Sequence, residues 1–203
     1  MEDYILAHIS PEPDHLARLY RRTHLNHLYP RMCSGHLQGR MLAMLVSMIK
    51  PMRVLELGTF TGYSALCLAE TLPDGGHVHT IEEMEDELTE LFATSPGGER
   101  ITLHIGDALK VIPTLNETWD LIYIDANKRD YIAYLDLLLP TLRPGTFIIA
   151  DNTLWDGKVY DTVKNHDAQT LGLDAFNTYV AAHPRLASVI LPLRDGLTLI
   201  RVD

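Results

Sequence analysis

From residue 53 onward the chain repeats one unit: a short apolar run, a turn, a helix-like stretch, then another apolar run. Arg53–Leu57, His77–Ile81, Ile101–Ile105, Leu121–Ile124 and Thr146–Ala150 read as strands, and Ser64–Thr71, Met84–Ala93 and Asp130–Leu139 as helices between them. Alternation at this spacing restricts the fold to an α/β architecture, with a mostly parallel sheet covered on both faces. The end breaks the rhythm. Ala187–Leu191 and Leu197–Arg201 flank a turn containing Asp195-Gly196 and read as an antiparallel hairpin. Ahead of the alternation, Asp14–Tyr20 and His36–Ile49 read as helices, the second with a broad apolar face. No repeat, low-complexity tract or linker marks a second domain.

Composition removes several functions. A formal net charge of -10 over 203 residues argues against a nucleic-acid partner, which needs a basic footprint. No stretch approaches a membrane span, and the acidic start (Glu2, Asp3) is unlike a signal peptide. The two cysteines, Cys33 and Cys67, lack metal-ligand spacing and read as reduced thiols of a cytoplasmic protein. His24-x-x-His27 lacks partners at zinc spacing and reads as surface or packing.

The chemistry concentrates at two strand ends. Ile124-Asp125-Ala126-Asn127-Lys128 follows one apolar run, and Asp151-Asn152, 26 residues after Asp125, follows the next. Parallel neighbouring strands would bring Asp125, Asp151 and Asn152 to one carboxyl edge, where open α/β sheets bind ligands. Two carboxylates and an amide oxygen are a hard ligand set suited to Mg²⁺, Mn²⁺ or Ca²⁺. Taken singly, Asp125-x-x-Lys128 is equally an ordinary ion pair and Asp151-Asn152 equally a turn.

A second constellation follows the first strand. In Glu56-Leu57-Gly58-Thr59-Phe60-Thr61-Gly62-Tyr63-Ser64, Gly58 permits a sharp turn and Gly62 the approach of a ligand near the helix start. Phe60 stands where a dinucleotide fingerprint needs its second glycine, so a ligand with a carboxylate and no phosphate fits better, held by Ser64 and the helix amides. Glu82, after the second strand, suits the hydroxyls of a ribose, although Glu82, Glu83, Glu85, Asp86 and Glu87 could simply favour a helix start. Asp107 in Gly106-Asp107-Ala108 could border an adenine or cap the next helix.

Together with Asp151-Asn152-Thr153-Leu154-Trp155 and Asp195-Gly196-Leu197, these motifs resemble the cation-dependent O-methyltransferase family that includes caffeoyl-CoA and catechol O-methyltransferases. The resemblance implies a Rossmann-like S-adenosylmethionine-dependent methyltransferase fold, seven-stranded, with its last strand antiparallel. It implies one methyltransferase domain over 1–203, residues 1–50 being a helical segment and 51–203 the core. S-adenosylmethionine would lie against Ser34, Glu56, Gly58, Thr59, Ser64, Glu82, Ala108 and Asp125. Asp125, Asp151 and Asn152 would hold the divalent cation, and the assembly would be a homodimer. The acceptor would be a small aromatic compound bearing a hydroxyl, catechol-like or phenylpropanoid-like. A phenol with a pKa of about 10 is mostly protonated at neutral pH, so Lys128 would serve as general base, with Asp125 beside it. Two positions depart from many relatives: Asn127 stands in place of Asp, and Asp156 in place of Asn. Two rivals remain, an NAD-dependent oxidoreductase, opposed by Phe60, and a catalytically silent S-adenosylmethionine-binding protein, opposed by Lys128.

Overall fold

The computed structural model describes residues 1–84, 87–161 and 167–203, the side chain of Glu2 excepted. Its strands follow the apolar runs closely: β1 Arg53–Leu57, β2 His77–Glu82, β3 Ile101–Ile105, β4 Leu121–Ile124, β5 Phe147–Asp151, β6 Leu186–Leu191 and β7 Leu197–Val202. They form one seven-stranded sheet in the order β3-β2-β1-β4-β5-β7-β6. β1 to β5 pair in parallel, whereas β7 runs antiparallel to both β5 and β6.

The central strands have no polar face because both faces are covered. All four residues of β4 are fully buried. Ile122 and Ile124 join a core with Leu55, Leu57, Tyr131 and Phe176, while Leu121 and Tyr123 point into a second core with Val54, Leu42 and Val46. Truncating any of these large side chains would cost roughly 2–5 kcal/mol.

The helices are α1 Glu2–Leu6, α2 Asp14–Asn26, α3 Gly35–Ile49, α4 Tyr63–Glu70, α5 Leu88–Thr94, α6 Ala108–Val111, α7 Tyr131–Leu138 and α8 Ala168–Ala182. α2 runs six residues beyond Tyr20, the end expected from the sequence. α5 starts later than the expected Met84, and Glu85 and Asp86 lie outside the described residues. α3 stops where Lys50 turns left-handed ahead of Pro51, which disfavours helix in the residue before it. α8 was not foreseen. Its Gly172 lets it press on the Lys128–Asp130 turn, since a Cβ there would lie 2.7 Å from the carbonyl oxygen of Lys128.

The parallel register places Leu57 beside Ile124 and Ile124 beside Ala150, so the loops after β1, β4 and β5 emerge side by side. The reversal of β7 sets Leu197 opposite Asp151, which returns the turn after β6 to the same edge. No helix among the described residues is long and apolar enough to cross a membrane.

Candidate active site

A cavity of about 1210 Å³ opens at this carboxyl edge. Ser34, Gly58, Thr59, Ser64, Glu82, Ala108, Asp125, Lys128, Asp151 and Asn152 all line it. Glu56 does not. It is fully buried behind the loop, with Oε2 accepting from the Thr80 hydroxyl and Oε1 without a partner. Burial pushes its carboxyl up to about 8, against the opposing pull of hydrogen bonds from Ser64 and Thr80.

One half of the cavity is built by backbone. Gly58 (φ +92) donates to the Ile81 carbonyl, and a Cβ on it would lie 2.3 Å from the Asp125 carbonyl oxygen, so only glycine fits. Glu82 Oε2 accepts from the amides of Thr59 (3.0 Å) and Phe60 (2.7 Å), and Oε1 from the amide of Glu83 (2.9 Å). Glu82 therefore clamps the loop as well as facing the cavity. Gly62 behaves differently from the sequence expectation. The space beside it is taken by Leu91, Phe92 and Leu88 rather than left for a ligand, because α5 packs directly on the start of α4. Asp107 caps α6 by accepting from the Leu109 amide, while Gly106 and Ala108 face the cavity.

The other half is built by side chains. Lys128 Nζ lies 2.6 Å from Asp125 Oδ1, and both side chains are mostly shielded. Burial raises the Asp125 carboxyl, and repulsion from Asp151 adds to it, while Lys128 pulls the other way. Asp151 is only 3% exposed; Oδ2 accepts from Gln38 Nε2 and the Tyr123 hydroxyl, and Oδ1 from the Asn152 amide. Asn152 follows in the left-handed region (φ 60). Phe60, Trp155 and Arg194 on the rim also have positive φ, as does Asp156 beside Trp155.

The donors suit a hard divalent cation. Two carboxylates repel across the floor, Asp125 Oδ2 and one lone pair of Asp151 Oδ1 are uncommitted among the described residues, and Asn152 adds an amide oxygen. Among the described residues no group of three or more His, Cys, Asp or Glu is arranged for a metal; here the third donor is an amide. Asn127 donates from Nδ2 to Asp130 at 2.6 Å, a bond a carboxylate could not make.

Reasoning along the sequence missed Gln38, Tyr123 and Arg194. His27 packs edge-on against Phe60 at 5.3 Å and lines the cavity, whereas His24 caps back onto the Tyr20 carbonyl. Cys33 and Cys67 are both buried and unbridged.

The strand order, the reversed seventh strand and the cavity at the carboxyl ends define a Rossmann-like methyltransferase fold. Within that class the chain belongs to the O-methyltransferase family, whose model matches residues 7–202. It is 32% identical to a catechol O-methyltransferase of Niastella koreensis, with 80% of this chain and 78% of that protein covered. It is 32% identical to caffeoyl-CoA O-methyltransferase 1 of Eucalyptus globulus, covering 94% of this chain and 82% of the relative. An O-methyltransferase from Bacillus cereus, solved in complex with SAH, superposes with a TM-score of 0.89 at 29% identity, over 99% of this chain and 96% of that one.

Proposed function

We propose that this O-methyltransferase family enzyme moves a methyl group from S-adenosylmethionine to a hydroxyl of a small catechol-like or phenylpropanoid-like aromatic acceptor, assisted by a divalent cation. The observation that carries the reading is one cavity with two unlike halves: the Gly58 loop clamped by Glu82, and Lys128 beside Asp125, Asp151 and Asn152. The names of the relatives and the SAH bound in the Bacillus cereus structure support the donor and the aromatic class.

In this reading Ser34, Gly58, Thr59, Ser64, Glu82 and Ala108 hold the donor. Glu56 steadies the loop from behind, accepting from the Thr80 hydroxyl that also bonds the Thr59 hydroxyl. Asp125, Asp151 and Asn152 hold the cation, Mg²⁺, Mn²⁺ or Ca²⁺, whose contact with the acceptor hydroxyl would lower that group's pKa and orient it. The acceptor oxygen forms its bond to the methyl carbon as the carbon–sulfur bond breaks, and the electron pair stays on sulfur. In its neutral amine form, Lys128 would take the hydroxyl proton at Nζ. The cavity holds both reactants in line, which supplies a large part of the acceleration. The reading extends to a single domain and a cytoplasmic homodimer, and sedimentation of the purified chain tests the dimer.

The deciding experiment measures methyl transfer over catechols, phenylpropanoids and flavonoids, with and without chelator, beside calorimetry with S-adenosylmethionine. Binding of the donor and turnover that chelation abolishes and Mg²⁺ or Mn²⁺ restores are expected. Full turnover in chelator would remove the cation from the reading, and absent donor binding would remove the reading itself.

A further inference from the structure

Asp151 ends a chain of polar groups that crosses the molecule. Gln38 Nε2 lies 2.5 Å from Asp151 Oδ2 and 2.9 Å from the Tyr123 hydroxyl, which itself donates to Asp151 Oδ2 at 2.9 Å. Gln38 Oε1 accepts from Arg194 Nη1 at 3.0 Å. The same guanidinium donates to the carbonyls of Arg31, Cys33 and Ser34, which form a wall of the cavity. Gln38, Tyr123 and Asp151 are each at most 3% exposed, so none of these bonds is readily exchanged for water.

Hydrogen-bond polarity allows only one arrangement. Arginine has donors and no acceptor, an ionised aspartate has acceptors and no donor, and the glutamine amide has an accepting oxygen at one end and two N–H donors at the other. With Arg194 against Oε1, the amide must turn Nε2 toward Asp151. Without Arg194 it could flip and set an oxygen against a carboxylate. The relay also uses both lone pairs of Asp151 Oδ2, leaving the free one on Oδ1.

We infer that Gln38 and Arg194 are positioning residues, a relay that fixes which oxygen Asp151 offers to the cation and ties that choice to the seating of the wall at residues 31–34. The inference rests on Asp151 being a cation ligand, as proposed above. Its consequence is that the N-terminal wall and the cation-holding carboxylate are set together by one guanidinium on the turn between β6 and β7.

The test titrates Mn²⁺ into the purified full-length protein, reading free Mn²⁺ by electron paramagnetic resonance, with S-adenosylhomocysteine calorimetry as the control. Gln38→Met is expected to weaken Mn²⁺ binding about 10–100-fold, the usual effect of losing a ligand's hydrogen-bond partner, and to leave S-adenosylhomocysteine affinity within about twofold. Arg194→Met is expected to weaken Mn²⁺ binding in the same direction. The double variant should bind Mn²⁺ no worse than Gln38→Met, because the arginine acts through the amide. Tyr123→Phe, which keeps the ring and removes one donor to Asp151, should weaken Mn²⁺ binding alone and serves if Gln38→Met does not fold. Wild-type protein that binds no Mn²⁺ overturns the cation reading and the relay together. Wild-type binding with unchanged affinity in Gln38→Met, or in Tyr123→Phe where that variant stands in, overturns the relay alone. So do fully additive losses in the double variant, or equal losses for both ligands in Gln38→Met.

Discussion

The two halves of the cavity are made by different means. On the side of β1 and β2 the ligand-facing surface is largely main chain, turned by Gly58 and held by Glu82 through two amides within one loop. On the side of β4 and β5 it is side chain: Lys128, Asp125, Asp151 and Asn152, supported by Gln38, Tyr123 and Arg194 from remote parts of the chain. A backbone half presents the same shape whatever its neighbours are, which suits a ligand that does not vary. A side-chain half can be re-cut by single substitutions, which suits an acceptor that differs between relatives. Asn127 and Asp156 both lie on or beside the second half.

The widest gap between the halves should appear at Lys128. Lys128→Ala should lower kcat by roughly 10²–10⁴-fold while S-adenosylmethionine affinity stays nearly intact, since the residue belongs to the acceptor side. Lys128→Arg should not restore turnover, because guanidinium stays protonated; normal turnover by the arginine variant on a catechol would reduce Lys128 to an electrostatic role. Gly58→Ala attacks the backbone half. The added methyl meets the Asp125 carbonyl, so denaturant unfolding should register a loss on the order of 3 kcal/mol, together with weakened donor binding. A loss below about 0.5 kcal/mol would show that the close approach is not required.

Glu82→Ala should weaken donor binding by about 1.5–3 kcal/mol through lost charge-assisted hydrogen bonds, with Mn²⁺ affinity unchanged. Equal weakening of both ligands would erase the distinction between the halves. The smallest effect, taken per pH unit, concerns Glu56, whose carboxyl is raised from 4.5 to about 8. A raised acid keeps its proton when folded and loses it when unfolded, so its stabilisation is complete below about pH 4.5 and is lost as pH rises toward 8. Thermal or denaturant melts of the ligand-free protein should lose up to about 1.4 kcal/mol per pH unit across that window, and Glu56→Gln should flatten the slope. An unchanged slope in that variant assigns the pH dependence elsewhere.

Much of the backbone half was legible because its signals are local. The apolar runs placed β1, β3 and β4 at their observed bounds, and the others within one residue at either end. Gly58 and Glu82 lie within a short span of sequence, so strand alternation alone puts them together. Gly62 was misread because a glycine reports empty space without saying whether a ligand or a leucine fills it. α8 stayed hidden since Gly172, Thr170 and Thr178 lower its helical preference, while its burial comes from packing of Leu173 and Phe176. The Gln38–Arg194–Asp151 relay joins residues 113 and 156 positions apart, and no periodicity encodes such a meeting.

The left-handed residues on the cavity rim bear on any attempt to harden this protein. Phe60, Asn152, Trp155 and Arg194 each hold a backbone conformation that costs on the order of 1–3 kcal/mol for a side-chain-bearing residue. Glycine at these sites would relieve the backbone but delete a wall of the cavity, and at Arg194 it would also remove the bonds to Arg31, Cys33, Ser34 and Gln38. Backbone relief and an intact cavity therefore compete at the same four positions, and gains without loss have to come from the far edge of the sheet.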